Sequence, residues 1–228
     1  MENAQKLPAF DDVRSAAGRL KGFAVRTAMM ESPVLNERVG GRVLIKPECL
    51  QRTGSFKFRG AWNCISQLET EAAPGGVVAY SSGNHAQGVA AAAQIRKLRA
   101  AIVIPADTPQ IKKDNTRRLG SEIVEYDRAT GERDVIAKTL CDERQAALVP
   151  PFEHADIIAG QGTATLELLQ DVSEAGCELD QLIVPAGGGG LIAGASLAVG
   201  GLSPDVAVYS AEPENFDDHA RSLSAGRR

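Results

Sequence analysis

The segment SFKFRGA (55–61) sets a lysine, Lys57, between Phe56 and Phe58 at the start of a helical pattern. A helix N-terminus carries partial positive charge, so an ammonium ion there is electrostatically disfavoured. Such a site lowers a lysine's pKa and leaves more of it as the neutral amine, a nucleophile toward carbonyl groups. The competing reading is a snorkelling lysine whose stem covers apolar surface. A second stretch, LIVPAGGGGLIAGA (182–195), reads as a strand, a four-glycine turn and a helix start. Bare backbone N–H groups and the helix dipole make that turn a place for a phosphate. In a third, AYSSGNHAQGVA (79–90), Ser81 and Ser82 precede another helix. One serine suffices as N-cap. The surplus hydroxyl, Gly83 and the amide of Asn84 then form a donor-rich hollow for a carboxylate or phenolate.

The glycine turn alone leaves the phosphate's owner open. Gly188, Gly190 and Ala193 fit GxGxxA, and Glu212 ends a strand about 20 residues on, as in a dinucleotide fingerprint. A nucleotide-binding module is therefore one alternative. Against it, the match leaves room for a single βαβ unit, whereas dinucleotides span two such halves.

Short β-branched runs at 42–46, 77–80, 101–104, 122–126, 182–184 and 206–210 alternate with helical patterns at 55–69, 84–98, 109–119, 131–146, 161–175 and 190–199. Strands apolar on both faces predict parallel sheets covered by helices, an α/β fold. Turn residues cluster near 73–76 and 147–151, which divides the chain into a large domain (1–76 with 147–228) and a small α/β domain (77–146). On the 55–69 helix Phe58, Ala61, Trp62, Ile65 and Leu68 make one apolar stripe, with Lys57 at its edge and Arg59 on the far side. A net charge of −4 offers no electrostatic footprint for nucleic acid or membrane. No basic leader and no run of about 20 apolar residues is present. The four cysteines and three histidines are dispersed without CxxC or HExxH spacing, which argues against a zinc centre and for a reducing, cytoplasmic setting.

Together, PECLQRTGSFKFRGA (47–61), SSGNHAQG (81–88), IIAGQGT (157–163), PAGGGGLIAG (185–194) and AEPENFDD (211–218) resemble, in order, the motifs of fold-type II pyridoxal-phosphate enzymes of the threonine/serine dehydratase and serine racemase group. The resemblance runs over nearly the whole chain. It implies two parallel-rich open sheets flanked by helices, as in the tryptophan synthase β-like fold, incomplete at the C-terminus because the family's later segment has no counterpart here. It implies Lys57 as the covalent attachment point and general base, and Gly187, Gly188, Gly189, Gly190 and Leu191 as the phosphate cradle. Asn84 would bond the pyridine hydroxyl, and Phe56 would pack on the ring. Ser55, Ser81, Asn84 and His85 would receive the substrate carboxylate, with a structural core histidine as the alternative for His85. Glu212, the carbonyl of Phe216 and Asp218 match a site for Mg2+ or Ca2+ in serine racemase-like members, with a solvated acidic loop as the alternative. The implied reaction is loss of ammonia from a β-hydroxy amino acid such as threonine or serine. Serine at position 82 keeps serine or aspartate racemisation and 3-hydroxyaspartate dehydration open. The family implies a homodimer or tetramer. His154, just before IIAGQGT, is a further candidate for influencing substrate choice. Ala28 stands where the family usually has proline.

Overall fold

The computed structural model describes residues 7–227. Helix α1 (Phe10–Leu20), strand β1 (Met30–Glu31), helix α2 (Pro33–Val39) and strand β2 (Leu44–Ile45) lead through two 3-10 turns into α3 (Lys57–Ile65). Then follow β3 (Val77–Tyr80), α4 (Asn84–Arg96), β4 (Ala100–Pro105), α5 (Gln110–Arg118), β5 (Glu122–Tyr126), α6 (Arg133–Arg144) and β6 (Ala147–Leu148). The chain continues as α7 (Ala155–Glu174), β7 (Gln181–Pro185), α8 (Gly190–Leu202), β8 (Ala207–Ala211) and α9 (Asp218–Ala225). No helix among these residues is long and apolar enough to cross a membrane.

The fold is α/β with parallel sheets. A four-stranded sheet runs in the order β5-β4-β3-β6 with every pair parallel, and β7 pairs β8 in parallel. The two-residue strands β1 and β2 pair antiparallel. In β3 and β4 the side chains alternate between two apolar layers, as the near-continuous hydrophobic runs require. Val77, Ala79, Ile102 and Ile104 pack with Val89 of α4, whereas Val78, Ala101 and Val103 pack with Ala137 of α6. The sheet's fourth strand, β6, lies just past the 77–146 stretch.

Helix α3 is enclosed on all sides: every residue from Phe58 to Ile65 is buried. Glycines permit this. A Cβ on Gly160 of α7 would lie 2.6 Å from the Cα of Gly60, and one on Gly162 would lie 2.6 Å from the carbonyl oxygen of Gly194 in α8. Thus IIAGQGT belongs to the first turns of α7, which begins at Ala155 and not at 161, because its glycines serve helix contact and not a loop.

Arg59 does not face solvent, as its place off the apolar stripe suggests; its side chain is fully buried. The guanidinium forks onto Glu48 (Nε to Oε2, 2.7 Å; Nη2 to Oε1, 2.8 Å) and onto Glu167 of α7 (both bonds 2.8 Å). Lys46 approaches Glu167 and Asp171 at 3.0 and 3.2 Å. The second stripe-breaking residue, Asn63, is also buried and donates to the carbonyl of Asp156. The segment before α3 and helix α7 are thus tied to α3 through one charged centre.

His85, in the first turn of α4, is 2% exposed, and its Nε2 lies 2.9 Å from the carbonyl oxygen of Val149. A carbonyl can only accept, so Nε2 carries the proton. Burial lowers the imidazole from 6.5 to about 4, with the nearby Lys57 charge contributing; the Val149 bond opposes the shift.

Two outcomes follow from these buried polar groups. Replacing Arg59 by leucine leaves Glu48 and Glu167 facing each other without their cation, and denaturant unfolding should show a loss of about 3–5 kcal/mol. A loss within experimental error would mean the ion cluster does not hold α3. His85 binds its proton more weakly folded than unfolded, so its contribution is complete above pH 6.5 and is lost as pH falls toward 4. Between pH 7 and 5 this group should remove about 2 kcal/mol. His85→Gln should flatten that part of the stability–pH curve, and an unchanged slope would contradict the assignment.

Candidate active site

Lys57 is the first residue of α3, and its N-cap, Phe56, contributes no side-chain hydrogen bond. The amine donates to the carbonyl oxygen of Pro151 at 2.7 Å and lies 5.3 Å from the centre of the Phe56 ring. Burial lowers its pKa from 10.5 to about 8. Loss of solvent, more than the helix end the sequence suggested, depresses the pKa. Helix α4 presses on the lysine's backbone: a Cβ on Gly88 would stand 3.1 Å from the carbonyl carbon of Lys57.

Pro151 begins a short strap that joins the lysine to the glycine turn. The ring of the next residue, Phe152, packs so closely on Gly188 that any side chain at 188 would overlap it. Gly189 caps α8 in the left-handed region, at φ 82° and ψ −18°, which a residue with a Cβ rarely adopts. No side chain caps the start of α8. The ring of His219 closes the other side, with Nε2 donating to the carbonyl oxygen of Gly187 at 2.7 Å. A cavity of about 340 Å³ opens here, its walls including Glu153, Gly188, Gly189, Gly190, Ser196 and His219. Leu191 is half-buried and packs on the α7–α8 core.

The serine-rich turn differs in detail from its capping reading. The N-cap of α4 is Gly83, without a side-chain bond. Ser81 Oγ accepts from the N–H of Gly83 at 3.2 Å, and Ser82 Oγ has no hydrogen bond among the described residues. Asn84 is exposed at the first position of α4. Ser55 is buried, and its Oγ lacks a partner among the described residues. His85 Nδ1 is likewise buried and unpartnered.

The acidic loop is already engaged. Glu212 accepts from the backbone N–H groups of His219 and Ala220, each at 3.0 Å, and so caps α9. Asp218 pairs with Arg221 at 2.6 Å, and Phe216 is exposed. A cation held by Glu212, Asp218 and the Phe216 carbonyl would have to displace these bonds.

These groups suit a small molecule bearing an aldehyde and a phosphate. The half-buried amine of depressed pKa can form an imine, a bare glycine turn at an uncapped helix end can receive the anion, and Ser55 Oγ has bonding capacity to spare. Sequence reasoning missed Pro151, Phe152 and His219. The Pro–Pro step at 150–151 read only as a boundary, and nothing in the spacing of His219 shows that its ring folds back on Gly187.

Comparison with known proteins agrees with this chemistry. Residues 20–228 match the family model described as pyridoxal-phosphate dependent enzyme. L-threo-3-hydroxyaspartate ammonia-lyase of a Pseudomonas species is 47% identical over 221 residues, covering 97% of this chain and 68% of that protein. Serine racemase of Schizosaccharomyces pombe is 40% identical over 220 residues, covering 96% of this chain and 67% of that one. The crystal structure of a T.th. threonine deaminase superposes with a TM-score of 0.90 at 44% identity, over 96% of this chain and 70% of that one. The chain thus spans about two thirds of the length of these relatives. It belongs to the family of pyridoxal-phosphate dependent enzymes.

Proposed function

We propose that this chain carries the catalytic core of an ammonia-lyase that converts a β-hydroxy amino acid to a 2-oxo acid and ammonia. The observation that carries the reading is the Lys57 amine, half-buried, held by the Pro151 carbonyl and lowered to about 8. Near pH 7 about a tenth of such an amine is neutral, against roughly one part in 3,000 for a lysine at 10.5. Lys57 would hold pyridoxal phosphate through that amine, with Gly187, Gly188, Gly189, Gly190 and Leu191 at its phosphate. Asn84 would meet its ring hydroxyl and Phe56 its ring. The bound cofactor supplies an electron sink for the pair left when Cα loses its proton.

Lys57 would be the base for that proton once the substrate's own amine has displaced it from the cofactor, and the Pro151 carbonyl, which holds the free amine at 2.7 Å, would keep it pointed in one direction. Ser55, Ser81 and Asn84 would receive the substrate carboxylate; His85, whose one ring N–H is spent on the Val149 carbonyl, could offer it only its backbone N–H. The buried His85 stays neutral and therefore adds no charge beside the lysine amine. The relatives' names supply the substrate class: hydroxyaspartate and threonine for the lyases, serine for the racemase.

The second reading is amino-acid racemisation, favoured by the unengaged hydroxyl of Ser82, which would exchange a proton with Cα as the partner of Lys57. The four free thiols fit a reducing cytoplasm, and the family implies a homodimer or tetramer.

Purified protein mixed with pyridoxal phosphate should show the visible band of an imine, and borohydride should fix one cofactor on Lys57 by intact mass and peptide mapping. Lys57→Ala should abolish both signals. An adduct on another lysine, or none, would overturn the reading. With substrate, release of 2-oxo acid and ammonia supports the lyase, while recovery of the opposite enantiomer, lost in Ser82→Ala, supports the racemase.

A further inference from the structure

Folding brings together three residues whose dispersal in sequence argued against a metal centre. Donor atoms of Cys64, His154 and Asp156 all lie within 4.8 Å of one another. Cys64 closes the last turns of α3, while His154 and Asp156 flank the start of α7. We propose that this cluster is a binding site for a divalent transition-metal ion of the zinc class, separate from the lysine site and from the acidic loop.

The donor set decides the class. One sulfur, one imidazole nitrogen and one carboxylate oxygen form a mixed, borderline-soft set that suits Zn2+, Co2+ or Cd2+ and is poor for Mg2+ or Ca2+. Around zinc, metal–ligand bonds of about 2.0–2.3 Å put neighbouring donors about 3–4 Å apart, so small rotations close the cluster. Three protein ligands leave a fourth tetrahedral position for water.

The surroundings are also arranged as an outer shell. Gln67 donates to Asp156 Oδ1 at 3.0 Å, and Asn63 donates to the Asp156 backbone carbonyl at 2.7 Å, so α3 orients the carboxylate from one side. Asp156 Oδ2 lies 3.9 Å from His154 Nδ1, which accepts from the backbone N–H of Asp156 at 3.2 Å, so an ion on this nitrogen replaces that cap. Cys64 is 5% exposed, whereas the His154 and Asp156 side chains are 25% and 41% exposed, so an ion enters from their side.

The site is also coupled to the chemistry by short connections. His154 ends the strap that begins at Pro151, whose carbonyl holds the Lys57 amine, and Cys64 lies seven residues from Lys57 on the same helix. Fixing His154 on an ion restricts the strap that forms one wall of the lysine site.

Co2+ alone, titrated into the protein with and without pyridoxal phosphate, tests the proposal. The expected result is one ion per chain and a cobalt–thiolate charge-transfer absorption. Cys64→Ser should remove the thiolate absorption. His154→Gln, which removes the imidazole ligand and the cap it gives α7, should weaken binding by at least about tenfold, the lower end of what even an outer-shell partner contributes. Glu212→Gln should leave binding unchanged. The proposal fails if no thiolate absorption develops, if it survives in Cys64→Ser, or if His154→Gln binds as the parent does.

Discussion

The structure depends on the complete enclosure of one short helix. Helix α3 is nine residues long, and it is surrounded by α1, α4 and α7 so closely that Gly60 and Gly160 meet backbone to backbone. Enclosure makes two demands that oppose each other. The apolar residues gain from it, while the charged residues at 57 and 59 lose their water. Arg59 is compensated in full by two carboxylates that fork onto its guanidinium. Lys57 has a single neutral carbonyl, and that deficit lowers its pKa. Two cations two residues apart therefore have opposite fates, one locked as a structural ion and the other left able to shed its proton.

The strap from Pro151 to His154 converts this local chemistry into a site. Pro151 faces the lysine, Phe152 packs on the glycine turn, and His154 caps α7 while standing beside Cys64. Two regions far apart in sequence, the start of α3 and the start of α8, are thereby brought into one neighbourhood. In β7 and β8 the side chains alternate, with Leu182 and Val184 buried while Ile183 and Tyr209, partners in register, are 66% and 51% exposed.

Much of the fold was legible because its signals are local. The runs at 77–80 and 122–126 are strands with those bounds, and the alternation of apolar strands with helical patterns pointed to parallel sheets. Helices α1, α2 and α9 and the two-residue strands β1 and β6 went unread, whereas β2 falls inside the run at 42–46. Val13, Ala16 and Leu20 do mark an inner face on α1, but small residues make that stripe faint. Strands of two residues carry no period. The site was legible where a residue type is costly unless used, as with Lys57 among phenylalanines or four glycines before a helix. It was not legible where a backbone carbonyl or a ring folded back from elsewhere supplies the contact. Arg59 shows the limit of angular reasoning, because a helix covered on every side has no solvent face to predict.

The central claim is that burial, relieved by one carbonyl, keeps the Lys57 amine ready to lose its proton near neutral pH. NMR of the cofactor-free protein carrying lysines labelled at the ε position tests it directly, with the Lys57 resonance assigned by its loss in Lys57→Met. A titration midpoint near 8 is the predicted result. A midpoint at the ordinary lysine value, about 10.5, would contradict the account.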